Sequence, residues 1–231
     1  MKLSLELKED FTNFILENSI IGFYKEPITL KSGRVSYWYV NWRDISSDVY
    51  LIEELTDFII KFVNELNLNP DCFFGVPEGA TKLGIITQYK WAKMQEDFKK
   101  NNYILSMGRR APKKHGDPKD RYYLGIPEGK IIILEDVTTT GQSLIDIINQ
   151  FSILNIDIQA AISLTNRNEK RSDGKTVQEL IMKKNIPYYS MSNALELLPM
   201  VYKLNEIDRA IAKKVENYFL KYGEKELILT K

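Results

Sequence analysis

The chain has 231 residues, of which 44% are hydrophobic and 27% charged, so it can bury the core of one large α/β domain or of two small ones. Its 32 Lys and Arg nearly balance 31 Asp and Glu, and the formal net charge of +1 argues against broad electrostatic binding to nucleic acid or to an anionic membrane. No run of about 18 apolar residues exists, and the N-terminus becomes acidic too early for a signal peptide, so we expect a single-domain, soluble, cytoplasmic protein.

Apolar residues at helical spacing predict that the chain opens with a short amphipathic helix, ending at Asn18, whose buried face is Leu7, Phe11, Phe14 and Ile15. An extended segment, a polar turn, an aromatic-rich strand and a helix are predicted next, at residues 23–30, 31–33, 36–42 and 49–66.

The central part of the chain alternates short apolar runs with helical patterns. Strands are predicted at residues 72–76, 103–107, 131–134, 158–164 and 188–191, and helices at 83–98, 144–154 and 177–184. A final helix is predicted, with an apolar face of Leu204, Ile207, Ile211, Val215, Tyr218 and Tyr222. The alternation predicts an α/β fold with a parallel sheet between helices, in which ligands bind beyond the carboxyl ends of the strands. The lone Cys72 lies in the first of these strands and is expected to be a buried thiol.

The most informative segment is 131–143, where an apolar strand runs into Glu135 and Asp136 and then into a loop rich in hydroxyl groups. The predicted helix behind the loop offers unpaired N–H groups and the positive end of its dipole, which favour a phosphate. The two carboxylates would repel a phosphate, whereas sugar hydroxyls can donate to them. A ribose phosphate site is therefore predicted, and an ordinary strand, turn and capped helix is the alternative. A P-loop is excluded because no Lys follows Gly141.

An acidic pair between a strand and a Thr/Gly loop resembles the phosphoribosyl diphosphate (PRPP) segment of type I phosphoribosyltransferases. The resemblance implies a Rossmann-like parallel sheet flanked by helices, with a small N-terminal hood of about residues 1–45 and a core of residues 46–231. It also implies that Glu135 and Asp136 are catalytic and that PRPP is bound by Val137, Thr138, Thr139, Thr140, Gly141, Gln142 and Ser143, with Thr139 also near the base.

A basic loop, residues 108–121, holds six Lys or Arg, two Asp and the only His of the chain. Long loops of this kind are lids, binding loops or solvated charged spans. Residues Arg109, Arg110, Lys113 and His115 resemble the catalytic loop Arg-Lys-x-x-Lys-x-His-Gly of orotate phosphoribosyltransferases. The resemblance implies that the two Arg contact pyrophosphate and that Lys113 and His115 close over it, across the interface of a homodimer.

The segment 31–41, Lys-Ser-Gly-Arg-Val-Ser-Tyr-Trp-Tyr-Val-Asn, resembles the orotate-specific segment Lys-Ser-Gly-Arg-x-Ser-x-Tyr-Phe-Phe-Asn of the same family. This implies that Lys31 approaches the base and the pyrophosphate, and that Tyr39 and Val40 hold the pyrimidine, with Val40 replacing an aromatic residue. Arg167 matches the family's Arg at this place, whose guanidinium can grip the orotate carboxylate with two parallel hydrogen bonds. An exposed loop Arg is the alternative.

The turn between the predicted strand at 72–76 and the helix after it suits pyrophosphate, because backbone amides at such a turn bind anions. We expect the backbone of Glu78 and Gly79 to make these contacts. Many relatives have a Lys at the position of Gly79, and Lys82 lies three residues later.

Together, the resemblances imply transfer of the 5-phosphoribosyl group from PRPP to orotate, giving orotidine 5′-monophosphate and pyrophosphate in pyrimidine biosynthesis. Mg²⁺ would be carried by PRPP and not by a dedicated set of protein ligands. Two alternatives stay open: a transferase acting on another base, and a non-catalytic PRPP-sensing regulator. Lys31 and Arg167 weigh against the first, and Lys113 and His115 weigh against the second.

Overall fold

The computed structural model describes residues 4–109, 111–115 and 121–230. Its N-terminal part contains α1, a β1–β2 antiparallel hairpin, a short 3₁₀ helix and α2, at Leu5–Glu17, Ile21–Thr29, Val35–Val40, Ile45–Ser47 and Val49–Glu65. The predicted first helix is confirmed, because it ends at Asn18 and the apolar residues expected on its buried face are buried. The Asp48 side chain starts α2 by accepting the Tyr50 and Leu51 N–H groups.

The rest of the chain forms β3 (Cys72–Gly75), α3 (Thr81–Lys93), β4 (Met107–Gly108), β5 (Tyr123–Leu124), β6 (Lys130–Thr138), α4 (Gln142–Ile153), β7 (Asp157–Asn166), α5 (Val177–Met182), β8 (Tyr188–Asn193), α6 (Ala194–Leu204) and α7 (Arg209–Tyr222). The central sheet is parallel, in the order β3-β6-β7-β8. None of the helices in the described ranges combines the length and the apolar character that crossing a membrane requires.

Strand β6 is buried on both faces, which explains its unbroken apolar run. Ile132 and Leu134 belong to one hydrophobic cluster, which includes the buried faces of α1, α2 and α7. Ile131 and Ile133 belong to a second cluster, in which they pack with α4. The predicted parallel sheet with helices on both faces is therefore confirmed.

One predicted strand is wrong. Residues 103–107 do not join the parallel sheet; only Met107 and Gly108 form a strand, which pairs antiparallel with β5. The carbonyl of Ile104 accepts the Gln88 side chain instead of a strand neighbour. The predicted final helix is present but begins later than expected, at Arg209, because the Asp208 side chain accepts the Ala210 N–H and starts α7 there. Leu204 and Ile207 therefore lie before it.

The C-terminal segment is held against α7 by the buried carboxylate of Glu216. Its Oε1 accepts the N–H groups of Leu229 and Thr230 at 2.7 and 2.8 Å, and its Oε2 lies 2.8 Å from Lys213 Nζ. Burial alone would raise the pKa of Glu216, but the hydrogen bonds from Lys213 and the C-terminal segment outweigh burial and lower the pKa to about 2.

We expect Glu216→Gln to lower the free energy of unfolding at neutral pH by about 1–3 kcal/mol, because the amide supplies one acceptor fewer and no charge. The folded-state pKa lies below the ordinary 4.5, so the stabilisation is present above that pH and disappears as the pH falls towards 2. Urea denaturation across this range should show the two proteins converging in acid. The exposed Glu226 offers a control, since Glu226→Gln should match wild type throughout. A penalty that does not change with pH would contradict the charge argument.

Candidate active site

The carboxyl ends of the parallel strands bring several predicted segments to one edge of the sheet, around residues 135–143, here called the cradle. A Cβ built on Gly79 would lie 2.4 Å from Asp136 Oδ2, so the turn after β3 lies against the acidic pair. Lys31 Nζ donates to Ser143 Oγ at 2.9 Å. The structure therefore brings together three segments to which the sequence assigned separate roles: the turn predicted to bind pyrophosphate, the acidic pair predicted to bind the sugar, and the Lys predicted to approach the base.

The acidic pair was predicted to follow the strand, but it forms part of β6. Strand β7 continues beside it, and Glu135 pairs with Ser163. Glu135 is only 8% exposed, whereas Asp136 is half-buried. Burial raises the pKa of Glu135 well above its usual range, the charge of Asp136 acts in the same direction, and Lys31 opposes both. Glu135 therefore holds a proton more readily than an exposed carboxyl, and can accept from or donate to a sugar hydroxyl.

The loop of the cradle presents open backbone N–H groups. Helix α4 has Gly141 as its N-cap, in the left-handed region at φ 67°, and no side chain of the described residues caps it. Its first N–H groups have no partner inside the helix and lie at the positive end of its dipole. Helices such as α1, α2 and α7 satisfy one or two of these groups with a capping side chain, and without one the start of α4 suits a bound anion.

Thr138 differs from the other Thr of the cradle. Its Oγ1 lies 2.6 Å from the Tyr188 hydroxyl and 3.5 Å from Ser163 Oγ, and the residue is 1% exposed. The hydroxyl therefore does not face the loop, contrary to the expectation for all three Thr, because Thr138 still belongs to β6 and its side chain points to a covered face of the sheet, beside Ser163 and Tyr188. Thr139 and Thr140 are half-buried in the loop itself.

The basic loop begins beside the pyrophosphate turn. A Cβ built on Gly108 would lie 2.7 Å from Pro77 Cγ, and the Arg109 N–H donates to the Tyr122 carbonyl at 2.9 Å. The root of the loop is therefore fixed close to the turn that holds Glu78 and Gly79.

The groups predicted to close over pyrophosphate are not joined to the cradle. Lys113 and His115 are exposed, and no hydrogen bond or ion pair connects their side chains to the cradle among the described residues. Arg110 lies outside the described residues, as does the stretch 116–120.

The residues predicted to hold the pyrimidine lie on opposite faces of β2. Tyr39 is half-buried, whereas Val40 is 4% exposed and belongs to the main core. Because successive side chains of a strand alternate, only the backbone of Val40 can contact a base on the side of Tyr39.

Arg167 matches neither sequence-based expectation. It is not an exposed loop residue, and its guanidinium is not open to a ligand carboxylate. It is 1% exposed, its Nε donates to Glu169 Oε1 at 2.7 Å, and its guanidinium carbon lies 3.6 Å from the centroid of a Trp38 ring. Glu169 also accepts Arg34 Nη1 at 2.5 Å. The guanidinium was predicted to bind the orotate carboxylate with two parallel hydrogen bonds. In the structure it instead belongs to a buried ion-pair network that joins the β1–β2 hairpin to the segment after β7.

Two residues near the site, Glu169 and Arg171, were not predicted from the sequence. Arg171 donates to the Thr140 carbonyl and to Gln142, and Glu169 joins two Arg. Both lie in a polar stretch after β7 with no spacing pattern that would mark them. Lys82 donates to the Ser46 carbonyl at 2.9 Å, so its amine is bound to the 3₁₀ helix region.

The comparisons with known proteins point to one family, although no family model matches the chain. Orotate phosphoribosyltransferase of Buchnera aphidicola subsp. Baizongia pistaciae is 30% identical over 217 residues, which are 93% of this chain and 97% of that protein. The enzyme of the same name from Ruthia magnifica subsp. Calyptogena magnifica is 26% identical over 94% of this chain and 99% of its own.

A crystal structure of orotate phosphoribosyltransferase from Francisella tularensis has the same fold, with a TM-score of 0.67, 22% identity and coverage of 93% of this chain and 99% of that one. This confirms the predicted type I phosphoribosyltransferase fold. The similarity to the Buchnera protein spans nearly the full length of both sequences, so the resemblance is not confined to separate motifs. The chain therefore belongs to the orotate phosphoribosyltransferase family.

Proposed function

We propose that the cradle is the active site in which the chain transfers the 5-phosphoribosyl group of PRPP to orotate, giving orotidine 5′-monophosphate and pyrophosphate. As a member of its family, the chain is a transferase of pyrimidine biosynthesis. The observation that carries the proposal is the convergence on the cradle: Gly79 lies against Asp136, and Lys31 donates to Ser143.

In this proposal, Glu135 and Asp136 accept the two ribose hydroxyls, and the N–H groups of residues 139–143 bind the 5-phosphate. As the bond to pyrophosphate breaks, positive charge develops on the sugar, and the nearby Asp136 carboxylate stabilises it. Val137 and Thr138 contribute through their backbone. Orotate reacts as its anion, so the chemistry requires no dedicated general base.

The leaving pyrophosphate is held by the backbone of Glu78 and Gly79 and neutralised by the basic loop, with Arg109, Arg110, Lys113 and His115. Mg²⁺ bound to PRPP supplies further positive charge to the leaving group. No group of three or more His, Cys, Asp or Glu that could hold a metal occurs within the described ranges. The half-buried Asp136 carboxylate is a hard oxygen ligand that suits a cation arriving with the substrate.

Orotate is proposed to bind between Lys31, the ring of Tyr39, the backbone of Val40 and Thr139. Arg167 would reach its carboxylate by exchanging a contact with Glu169 for one with the substrate. The direct contact of Lys31 with Ser143 makes Lys31 the better supported of the two cations.

The proposal includes a homodimer, one domain spanning residues 1–231, and a cytoplasmic location. One hydrophobic cluster contains residues from α1, β2 and α7, which supports a single folding unit. The exposed Lys113 and His115 are available to the cradle of a second subunit. A cytoplasmic location suits substrates whose charges keep them from crossing membranes unaided.

The direct test is an absorbance assay with PRPP, Mg²⁺ and a panel of bases, in which loss of orotate gives an optical signal. We expect orotate alone to be consumed, and only with PRPP present. Consumption of uracil or a purine would favour the transferase for another base. PRPP binding without turnover of any base would favour the regulator.

Replacing one carboxylate of the pair tests its role at the sugar. We expect Asp136→Asn to raise the KM for PRPP by about tenfold or more, as loss of a charge-assisted hydrogen bond would, with a smaller change in the KM for orotate. Asp157→Asn, an exposed position at the opposite end of the sheet, is the control. A larger effect on orotate than on PRPP would contradict sugar binding.

Replacing Lys113, the Lys of the catalytic-loop motif, tests whether this residue has a specific role or only adds to the positive charge of the basic loop. We expect Lys113→Ala to lower kcat by about 100-fold, the size of effect seen when one group stabilising transition-state charge is lost. Its thermal midpoint should not change, because the side chain is exposed. Lys114→Ala removes the same charge one residue away and should have little effect; equal losses in both variants would assign the effect to loop charge alone.

A further inference from the structure

We infer that Arg171 is a positioning residue, which holds the phosphate-binding loop of the cradle in its binding conformation. The inference rests on the proposed function of the cradle. Arg171 follows the end of β7 and lies outside every segment that carries the resemblance to the family.

Two donors of one guanidinium reach the loop. Nη1 donates to the carbonyl oxygen of Thr140 at 2.7 Å, and Nη2 donates to Gln142 Oε1 at 3.1 Å. The first acceptor lies in the loop and the second in the first turn of α4. The side chain is 22% exposed, so most of it is sequestered from water, where a charge-assisted hydrogen bond has more weight than at the surface.

The contact with Thr140 determines where the next amide points. In a planar trans peptide, the C=O and the following N–H point in opposite directions. With the Thr140 carbonyl held outward by Arg171, the Gly141 N–H is directed to the other side of the loop. A carbonyl free to turn inward would instead present negative partial charge to a phosphate. Arg171 therefore keeps an acceptor out of the anion site and a donor in it.

The segment that carries Arg171 also supports the loop through packing. A Cβ built on Gly141 would lie 2.1 Å from Val177 Cγ2, so the start of α5 presses on the loop at the residue after Thr140. Arg171 therefore holds Thr140 through a hydrogen bond, and Val177 holds the next residue, Gly141, through packing.

The backbone around Arg171 is itself fixed. The Arg171 N–H donates to the Lys175 carbonyl at 2.9 Å, and the Lys170 carbonyl accepts Arg34 Nη2 at 2.5 Å. Arg34 belongs to the segment proposed to carry the orotate site. The guanidinium of Arg171 is therefore presented from a turn that is tied to the hood, which gives it the rigidity a positioning residue needs.

The test compares Arg171→Met, which keeps the length of the side chain without its donors, with Arg171→Lys, which keeps the charge but not the fork that reaches two acceptors. Lys175→Met is the matched control, since Lys175 lies in the same turn, its side chain is 45% exposed, and within the described ranges its amine pairs with Asp173 alone, at 3.9 Å. Calorimetry with PRPP and Mg²⁺ in the absence of orotate gives Kd directly. Steady-state kinetics give the KM for each substrate, and thermal unfolding reports the fold.

We expect Arg171→Met to raise the Kd and the KM for PRPP by about tenfold, the effect of losing a charge-assisted hydrogen bond. Arg171→Lys should lie between Arg171→Met and wild type. The KM for orotate should stay within about twofold of wild type, and Lys175→Met should match wild type throughout.

A Kd for PRPP unchanged in Arg171→Met would overturn the inference, as would an equal rise in the KM for orotate. If Arg171→Met lowers the thermal midpoint, Arg171→Lys decides: weaker PRPP binding at an unchanged midpoint supports the inference, and wild-type binding overturns it. If wild-type protein binds PRPP but does not consume orotate, the proposed reaction is wrong. The comparison of the Kd for PRPP between wild type and the Arg171 variants would still test the role of Arg171.

Discussion

The structure depends on one constraint, the burial of β6 between two layers of helices. Because β3 and β7 pair with it in parallel, the segments after these strands meet at one edge of the sheet, where Glu135 and Asp136 lie. A carboxylate in this position costs free energy unless something compensates it. Burial therefore raises the pKa of Glu135, while the nearby Lys31 favours its charged form, so the strand that forms the core also supplies two carboxyl groups to the cradle.

The β1–β2 hairpin is fixed to this edge by a second buried feature, the network of Arg34, Glu169 and Arg167, in which Arg167 lies over Trp38. Removing one member of such a network leaves a buried charge without its partner, which makes the arrangement sensitive to change. The network places the turn after β1 so that Lys31 reaches Ser143, and it adjoins the turn that presents Arg171 to Thr140. The proposed base site and phosphate site therefore share one support.

Periodicity located most elements, because α1, α2, α4 and β6 bury long apolar faces that leave a clear pattern. It failed at residues 103–107, of which only Met107 joins a strand, and it placed Leu204 and Ile207 in the final helix, which begins only after Asp208. It also gave no sign of which way Thr138 points, since one residue more or less in a strand turns a side chain from the loop to the core.

The sequence by itself determined the family and the fold, and it located the acidic pair and the Thr/Gly loop proposed as the site, because these depend on residue types in short, ordered segments. Only the tertiary structure decided which of those residues are open to a ligand. Arg167 is enclosed, Val40 and the Thr138 side chain face the interior, and Arg171 meets the loop from 31 residues away. Contacts between residues far apart in the chain follow from how whole elements pack, and no local pattern records them.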